Sequence, residues 1–320
     1  MFIRINIPYA TKGLNNDVLI LENTIKKKFP KIKLFRENTT HIVDLNIHIS
    51  AIIKEQLNNS KLNALVINHE LFFTKGSADI DKYRKLDYIL ARNNIGYNWA
   101  MKIKKENNLK YKIILIKFSS NILKIETQKE WNVLLHSAGE HHWKQTDAII
   151  KCWNKYDDLP MLIITCTRQC FQNVKPLIHY QNKNVKIYTD LLPYQEFIKY
   201  KNKIGIHLCP SIVEGYGHYI NEARKLGSLV ITSDMSPMNE MVDETSGILI
   251  KCSQIIKKRN GTDLCIINED QIYDSIKKLQ KIPINERIKM GMNNYKKFQE
   301  DKCFYENAIE KFILSINLPF

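Results

Sequence analysis

The sequence predicts an α/β protein made of two doubly wound domains, and three observations carry that prediction. Short apolar runs alternate with stretches of helical spacing along most of the chain, the pattern of βα units around parallel sheets. At 320 residues the chain is too long for one ordinary core and fits two domains of about 100–200 residues each. Between Ile204 and Ala223 a strand, a glycine-bearing turn and a helix follow in direct succession, which is how parallel sheets present ligand sites at their carboxyl edges.

Taken in order, residues 2–7 read as the first strand, and 8–13 as a loop leading into a helix over about 16–28. Strands are predicted over 31–35, 42–49, 62–68, 86–91 and 112–116, with helices around 79–85 and 94–106. The stretch 118–129 mixes polar and small residues and should contain an interdomain linker. Further strands follow over 132–138, 161–166, 185–189, 204–209, 229–233 and 248–251, with helices between them. From Glu269 onward the pattern is helical, with Ile272, Ile276 and Leu279 at helical spacing and another helix over 304–314. Neither an internal repeat nor a low-complexity tail interrupts this series.

Composition sets further bounds. Hydrophobic residues make up 44% of the chain, as in folded globular proteins. The apolar start at Met1–Ile7 is too short and interrupted for a signal peptide, and no run approaches the roughly 18–20 apolar residues of a membrane span. The expectation is a cytoplasmic protein. Its seven cysteines show neither a paired framework nor a Cys-x-x-Cys site, which suggests reduced thiols. Charge is uneven: residues 1–125 hold 22 Lys and Arg against 10 Asp and Glu, and the remainder 26 against 23. That basic excess would suit an anionic membrane surface or an acidic acceptor, and equally a solvated lysine face. A basic nucleic-acid-binding protein is the lesser alternative: it would want aromatics interleaved with its basic groups or a recognisable module, and no zinc-finger, RNP or helix-turn-helix pattern is found.

The richest segment is Pro210-Ser211-Ile212-Val213-Glu214-Gly215-Tyr216-Gly217-His218-Tyr219-Ile220-Asn221-Glu222-Ala223. Gly215 and Gly217 let backbone N–H groups approach a ligand, and the following helix turns its positive end to the same place, which suits phosphate or sugar oxygens. Glu214 and Glu222 fall on about the same side of the turn and helix, so two carboxylates would face one cleft. The plainer reading keeps Glu214 as a helix cap and Glu222 on a solvated face. Downstream lie Gly227-Ser-Leu-Val-Ile-Thr-Ser-Asp234, Glu240 and Gly247-Ile-Leu-Ile250.

The series from Ile204 to Ile250 resembles the donor-binding signature of the retaining glycosyltransferases of family 4. The match takes in the Pro-Ser, the E-G-[FY]-G turn, the spaced glutamates, the Glu-Ala pair, the G-x-x-V-[IV]-x-[ST]-D strand and a later glutamate. It is good from about Val133 to Ile250 and looser before that. The resemblance implies the GT-B fold: two Rossmann-like doubly wound domains facing across a cleft. The acceptor domain would span 1–125, the nucleotide-sugar donor domain 126–299, and a final helix over 300–320 would cross back to the first domain. It also implies a hexosyltransferase-type enzyme that retains anomeric configuration and needs no metal or other cofactor. The partners would be a nucleotide-sugar donor and a glycan, lipid or protein acceptor, with no nucleic acid.

Several residues follow from that likeness. A second strand, glycine turn and helix runs from Leu134 through Gly139 and Lys144 to Trp153. A cation near a helix start opposes the dipole, and an anionic ligand would remove the conflict. The family pairs such a lysine with a basic residue after the glycine, but Glu140 stands there, so His141, His142 or Arg168 would have to supply that charge. Adjacent histidines without a third spaced ligand are weak metal candidates, and Asp79-Ile-Asp81 reads as a helix start. In the resemblance, Glu214 contacts donor-sugar hydroxyls, Glu222 takes the ribose hydroxyls, and Gly215, Tyr216, Gly217, His218 and Tyr219 line the sugar and phosphates. Strand-end His69 would touch the donor sugar or shape the acceptor cleft, with a locally bonded histidine as the alternative. Lys12 and Gly13 would stand for the family's glycine loop. His218 and Tyr219 replace smaller residues, which leaves the sugar open. A catalytically inactive nucleotide-sugar-binding protein of the same fold is the main rival, suggested by Glu140.

Overall fold

The computed structural model describes residues 1–320 apart from 10, 37–41, 69–79, 140–141, 179–183, 190–191, 259–261 and 317–320. The chain divides into two compact units, one of residues 1–121, 258–262 and 300–320, the other of residues 122–257 and 263–299.

The first unit holds strands β1 (Phe2–Asn6), β2 (Lys33–Phe35), β3 (Val43–Ser50), β4 (Ser60–Ile67), β5 (Tyr88–Ala91) and β6 (Lys112–Leu115). They form a parallel sheet in the order β2-β1-β3-β4-β5-β6. Leu45, Ile47, Ala64, Leu65 and Ile89 are fully buried, as expected where helices cover both faces of a parallel sheet. Helices α1 (Lys12–Lys28), α2 (Ile80–Tyr83) and α3 (Asn94–Glu106) make the connections. Thr11 caps α1 by accepting from the Leu14 N–H at 3.2 Å. The helix therefore starts at Lys12, and the expected loop through Gly13 is its first turn.

The second unit holds β7 (Glu130–Gly139), β8 (Met161–Cys166), β9 (Val185–Tyr188), β10 (Ile204–Cys209), β11 (Leu229–Ser233) and β12 (Gly247–Ile250). The sheet is parallel, in the order β12-β11-β10-β7-β8-β9. Between the strands run α4 (Thr146–Lys155), α5 (Arg168–Val174), α6 (Tyr194–Lys203), α7 (His218–Leu226) and α8 (Met238–Met241). Leu134, Leu162 and Leu208 join one core with Ile149 and Trp153 of α4. Cys209 and Val230 pack instead with Tyr219, Ile220 and Ala223 of α7. Strand residues thus alternate between helix layers on opposite faces.

A short antiparallel hairpin of β13 (Gln254–Lys257) and β14 (Asp263–Ile266) follows, where no strands were expected. Cys252 and Cys265 form a disulfide across its base, with Cα atoms 5.2 Å apart. This corrects the expectation that all thiols are unpaired. A 13-residue separation matches no sequence motif, and only the hairpin brings the two sulfurs together. Cys152, Cys166, Cys170, Cys209 and Cys303 are free.

Helix α9 (Glu269–Lys281) begins with a capping box between Asn268 and Gln271. Helix α10 (Ile284–Ser315) is continuous for 32 residues, where the sequence suggested a separate helix from 304. Its residues 300–315 belong to the first unit: Phe312 meets Tyr88 edge-on at 5.1 Å, and Glu306 pairs with Lys27 at 3.1 Å. Among the described residues no helix is long and apolar enough to cross a membrane.

Candidate nucleotide-sugar site

In the second sheet β7 lies between β8 and β10, so the connections leaving β7 and β10 diverge. In open α/β sheets that point of reversal leaves a crevice at the strands' carboxyl ends. Gly139 closes β7, and the Pro210–Gly217 turn follows β10. Gly139 has φ +65° and Gly217 φ +83°, conformations that cost side-chain-bearing residues about 1 kcal/mol or more. A Cβ on Gly217 would also stand 2.8 Å from Met241 Cε.

Lys144 is the first charged group at this crevice. The sequence put it at the start of a helix, but it ends a 3-10 turn over His142–Lys144, and α4 begins only at Thr146 after left-handed Gln145, φ +51°. Its chain folds back toward β7: Nζ donates to Ser137 O at 3.1 Å and lies 4.1 Å from the centre of the Tyr219 ring. A Cβ on Gly139 would be 3.6 Å from the same nitrogen. Burial pushes the Lys144 ammonium below its ordinary pKa, Glu214 and Glu222 oppose that shift, and Lys201 adds to it. A half-buried cation of this kind gains from an anionic ligand.

The turn after β10 is held by a directed chain of hydroxyls. Ser211 Oγ donates to Glu214 Oε1 at 2.5 Å. Having given up its only proton, it can only accept from Tyr219 OH, also at 2.5 Å. Burial raises the Tyr219 pKa well above its usual value, so the phenol keeps the proton it donates. Ser233 Oγ donates to Ser211 O at 2.6 Å, and Ile212 N–H to Trp143 O at 2.8 Å. The two loops at the crevice are therefore bonded to one another.

Glu222, on α7, forms an ion pair with Lys201 of α6. The lysine side chain is 1% exposed and the glutamate's 21%. Burial pushes the Glu222 carboxyl up, but the Lys201 charge and hydrogen bond outweigh it and hold it below the usual range. Sequence reading left Glu222 between a ribose ligand and a solvated face. The structure shows a half-buried carboxylate with one oxygen on an ammonium and, among the described residues, no hydrogen bond to the other.

Gly139, Lys144, Glu214, Gly215, Tyr216, Gly217, His218, Tyr219 and Glu222 all lie on the β7 and β10 connections of one unit. Arg168 is the exposed first residue of α5, next to Thr167, whose N–H donates to Gly139 O at 3.1 Å. Lys12 and Gly13 form the first turn of α1 in the other unit. His69, Glu140, His141 and Asp79 lie outside the described residues, as do the side chains of Lys12 and His142.

Three contributors went unnoticed in the sequence. Lys201 sits on a lysine-rich helix and has no motif around it. Gln145 carries no local signal for its left-handed backbone. His136 is buried in β7, with Nδ1 2.9 Å from Leu208 O and Nε2 3.0 Å from Thr146 Oγ1. Burial lowers its pKa to about 4, so it is a neutral strut joining β7, β10 and α4.

No family model and no curated protein matches this sequence. Solved structures do. A glycosyltransferase from Rickettsia africae ESF-5 aligns over 98% of this chain and 97% of its own, with a TM-score of 0.70 at 12% identity. Anabaena HepE in complex with UDP and glucose aligns over 98% of both chains, with a TM-score of 0.66 at 12% identity. The fold is GT-B. The pneumococcal O-GlcNAc transferase GtfA, in complex with UDP and GlcNAc, matches over 85% of this chain with a TM-score of 0.58 at 15% identity. This chain spans only 56% of GtfA and 57% of the chain matched in the GtfA/B complex. At such identities the likeness to GT-B proteins is one of fold.

Proposed function

We propose that the protein is a glycosyltransferase that moves a sugar from a nucleotide-sugar donor to an acceptor hydroxyl. The carrying observation is the convergence of half-buried Lys144, the left-handed Gly217 turn and the carboxylates Glu214 and Glu222 at the strand reversal of the second sheet.

Breaking the bond between sugar and diphosphate puts negative charge on the diphosphate and positive charge on the ring, so cations must meet the first and carboxylates the second. Lys144 and the amino end of α7 serve the diphosphate, and with these charges the transfer needs no metal. Glu214, oriented by Ser211 and Tyr219, takes the sugar hydroxyls. The free Glu222 oxygen accepts from the ribose. As the resemblance to the retaining enzymes of family 4 implies, the acceptor attacks the face that the diphosphate leaves, and configuration is retained. The UDP complexes of HepE and GtfA make uridine donors the first to try.

The test is mass spectrometry of donor breakdown across a sugar-nucleotide panel, with and without glycan, lipid and peptide acceptors. Turnover of one donor, with weakened donor binding in Glu222→Ala, is the expected result. Binding without turnover would favour the inactive carrier of the same fold, and no binding of any donor would refute the assignment.

A further inference from the structure

Both loops of the candidate site rest on a single short strand. In β14, Cys265 N–H donates to Ile212 O at 2.9 Å, beside Ser211 and Glu214. Just past β14, Ile267 N–H donates to Gln145 Oε1 at 2.7 Å, directly after Lys144. The same backbone thus supports the residue next to the ammonium and the turn that holds the sugar-facing carboxylate.

Cys265 and Ile267 anchor β14 in the core with α4, but its strand pairing is slight. Its sheet has two strands, and all four residues of its partner β13 are exposed. An isolated two-stranded hairpin is marginal in water. The covalent tie is the Cys252–Cys265 disulfide. Cys265 is fully buried within the core that includes α4, whereas Cys252 is partly exposed, so a reductant has an approach from the β13 side.

We propose that the Cys252–Cys265 disulfide is a positioning element of the donor site, and that its reduction loosens the hold of Ile212 and Gln145 and weakens nucleotide binding. Reduction by a dithiol breaks the S–S bond, delivers two electrons and two protons to give two Cys thiols, and closes the reductant into a cyclic disulfide. The proposal rests on the nucleotide-sugar reading of this site.

The test compares the oxidised protein, the protein treated with dithiothreitol and a Cys252→Ser variant, using UDP as the probe. Unfolded without reductant, the wild type should titrate five free thiols, rising to seven after reduction. A count of seven at the outset would overturn the proposal. Reduction should weaken UDP binding about three- to tenfold, the worth of about one buried hydrogen bond, and reoxidation should restore it. Cys252→Ser should bind as weakly as the reduced wild type and ignore dithiothreitol. Affinity that is indifferent to reduction in the wild type would refute the idea. Amide hydrogen exchange of Cys265 and Ile267, which donate the two bonds, and of Ile212, which donates to Trp143 O, read without ligand, separates this idea from the donor reading. Faster exchange on reduction supports the clamp even if UDP never binds, and unchanged exchange overturns it.

Discussion

The two units have the same architecture, six parallel strands with helices between them, yet they reverse strand order at different places and furnish the reversal differently. In the first unit it falls between β1 and β3, and in the second between β7 and β10. The second carries positive-φ glycines, Gly139 at the end of β7 and Gly217 at the start of α7. The first ends β1 at Asn6 and β3 at Ser50, a serine with φ +70°. Asn6 Nδ2 and Ser50 Oγ are buried and, among the described residues, have no hydrogen-bond partner. The geometry of the sheet makes a crevice in both. Among the described residues, the first lines its cavity with Arg36, Lys54, Glu55 and Lys82, whereas the second sets Lys144, Glu214 and Glu222 beside turns with left-handed glycines. Architecture supplies the place, and loop residues supply the chemistry.

Four experiments test that contrast, beginning with the largest expected effect. Each unit holds a buried ion pair, Arg92 with Asp17 at 2.7 Å in the first and Lys201 with Glu222 in the second. Arg92→Met leaves Asp17, 4% exposed, without its counter-charge, at a cost of about 3–5 kcal/mol. Lys201→Met should cost less, roughly 2–3 kcal/mol, because water still reaches Glu222. Denaturant titration of both variants checks the order, and a larger loss for Lys201→Met would break the comparison.

Acid should weaken the second unit more steeply. Burial lowers the pKa of His48, in the first unit, and His136, in the second, to about 4. His207, also in the second, is pushed well below its usual value by burial and by Lys201 and Lys129. The unfolded chain takes up these protons below about pH 6.5 and the folded chain does not, so stability is full above pH 6.5 and falls as pH drops toward 4. At pH 5 the loss is about 2 kcal/mol for each of His48 and His136, and His207 adds to it in the second unit. Hydrogen exchange of β3 and β10 at pH 7 and pH 5 reads the two slopes separately, and equal slopes would contradict the burial assigned to His207.

Lys144→Ala should lower UDP affinity about 10- to 100-fold, the worth of a charge-assisted hydrogen bond. Lys54→Ala, at the cavity beside Asn6 and Pro8 in the first unit, should change it less than about twofold. Calorimetric titration distinguishes them, and similar losses would move the anion site away from Lys144. The smallest effect is one of sign. Gly217→Ala should destabilise by about 1–2 kcal/mol through its positive φ and the Met241 contact. Gly13→Ala, in the first turn of α1 with nothing within 4 Å of an added Cβ, should be neutral or stabilise by up to about 1 kcal/mol. Thermal melting reports both.

Most of the framework was legible in the sequence. β8, β10 and β11 have the predicted bounds, because buried parallel strands are continuous apolar runs closed by turn residues. The start of α1 was missed because a threonine cap outweighed the loop-like composition before Asn16. The hairpin was missed because Gln254–Lys257 is exposed on every residue and has no alternation to read. Within the site, the Glu214–Glu222 segment stood out through its glycines. Lys201 and Gln145 did not, since their roles come from partners far along the chain.

By itself the order of amino acids determined two βα-alternating halves and the strand, turn and helix that carry the carboxylates, because periodicity and glycine act over a few neighbouring residues. Only the tertiary structure decided that Glu222 is held by Lys201, that Lys144 turns back onto Tyr219 and the end of β7, and that Cys252 finds Cys265. Those pairings depend on distances between separate segments, and such distances exist only once the sheet has assembled.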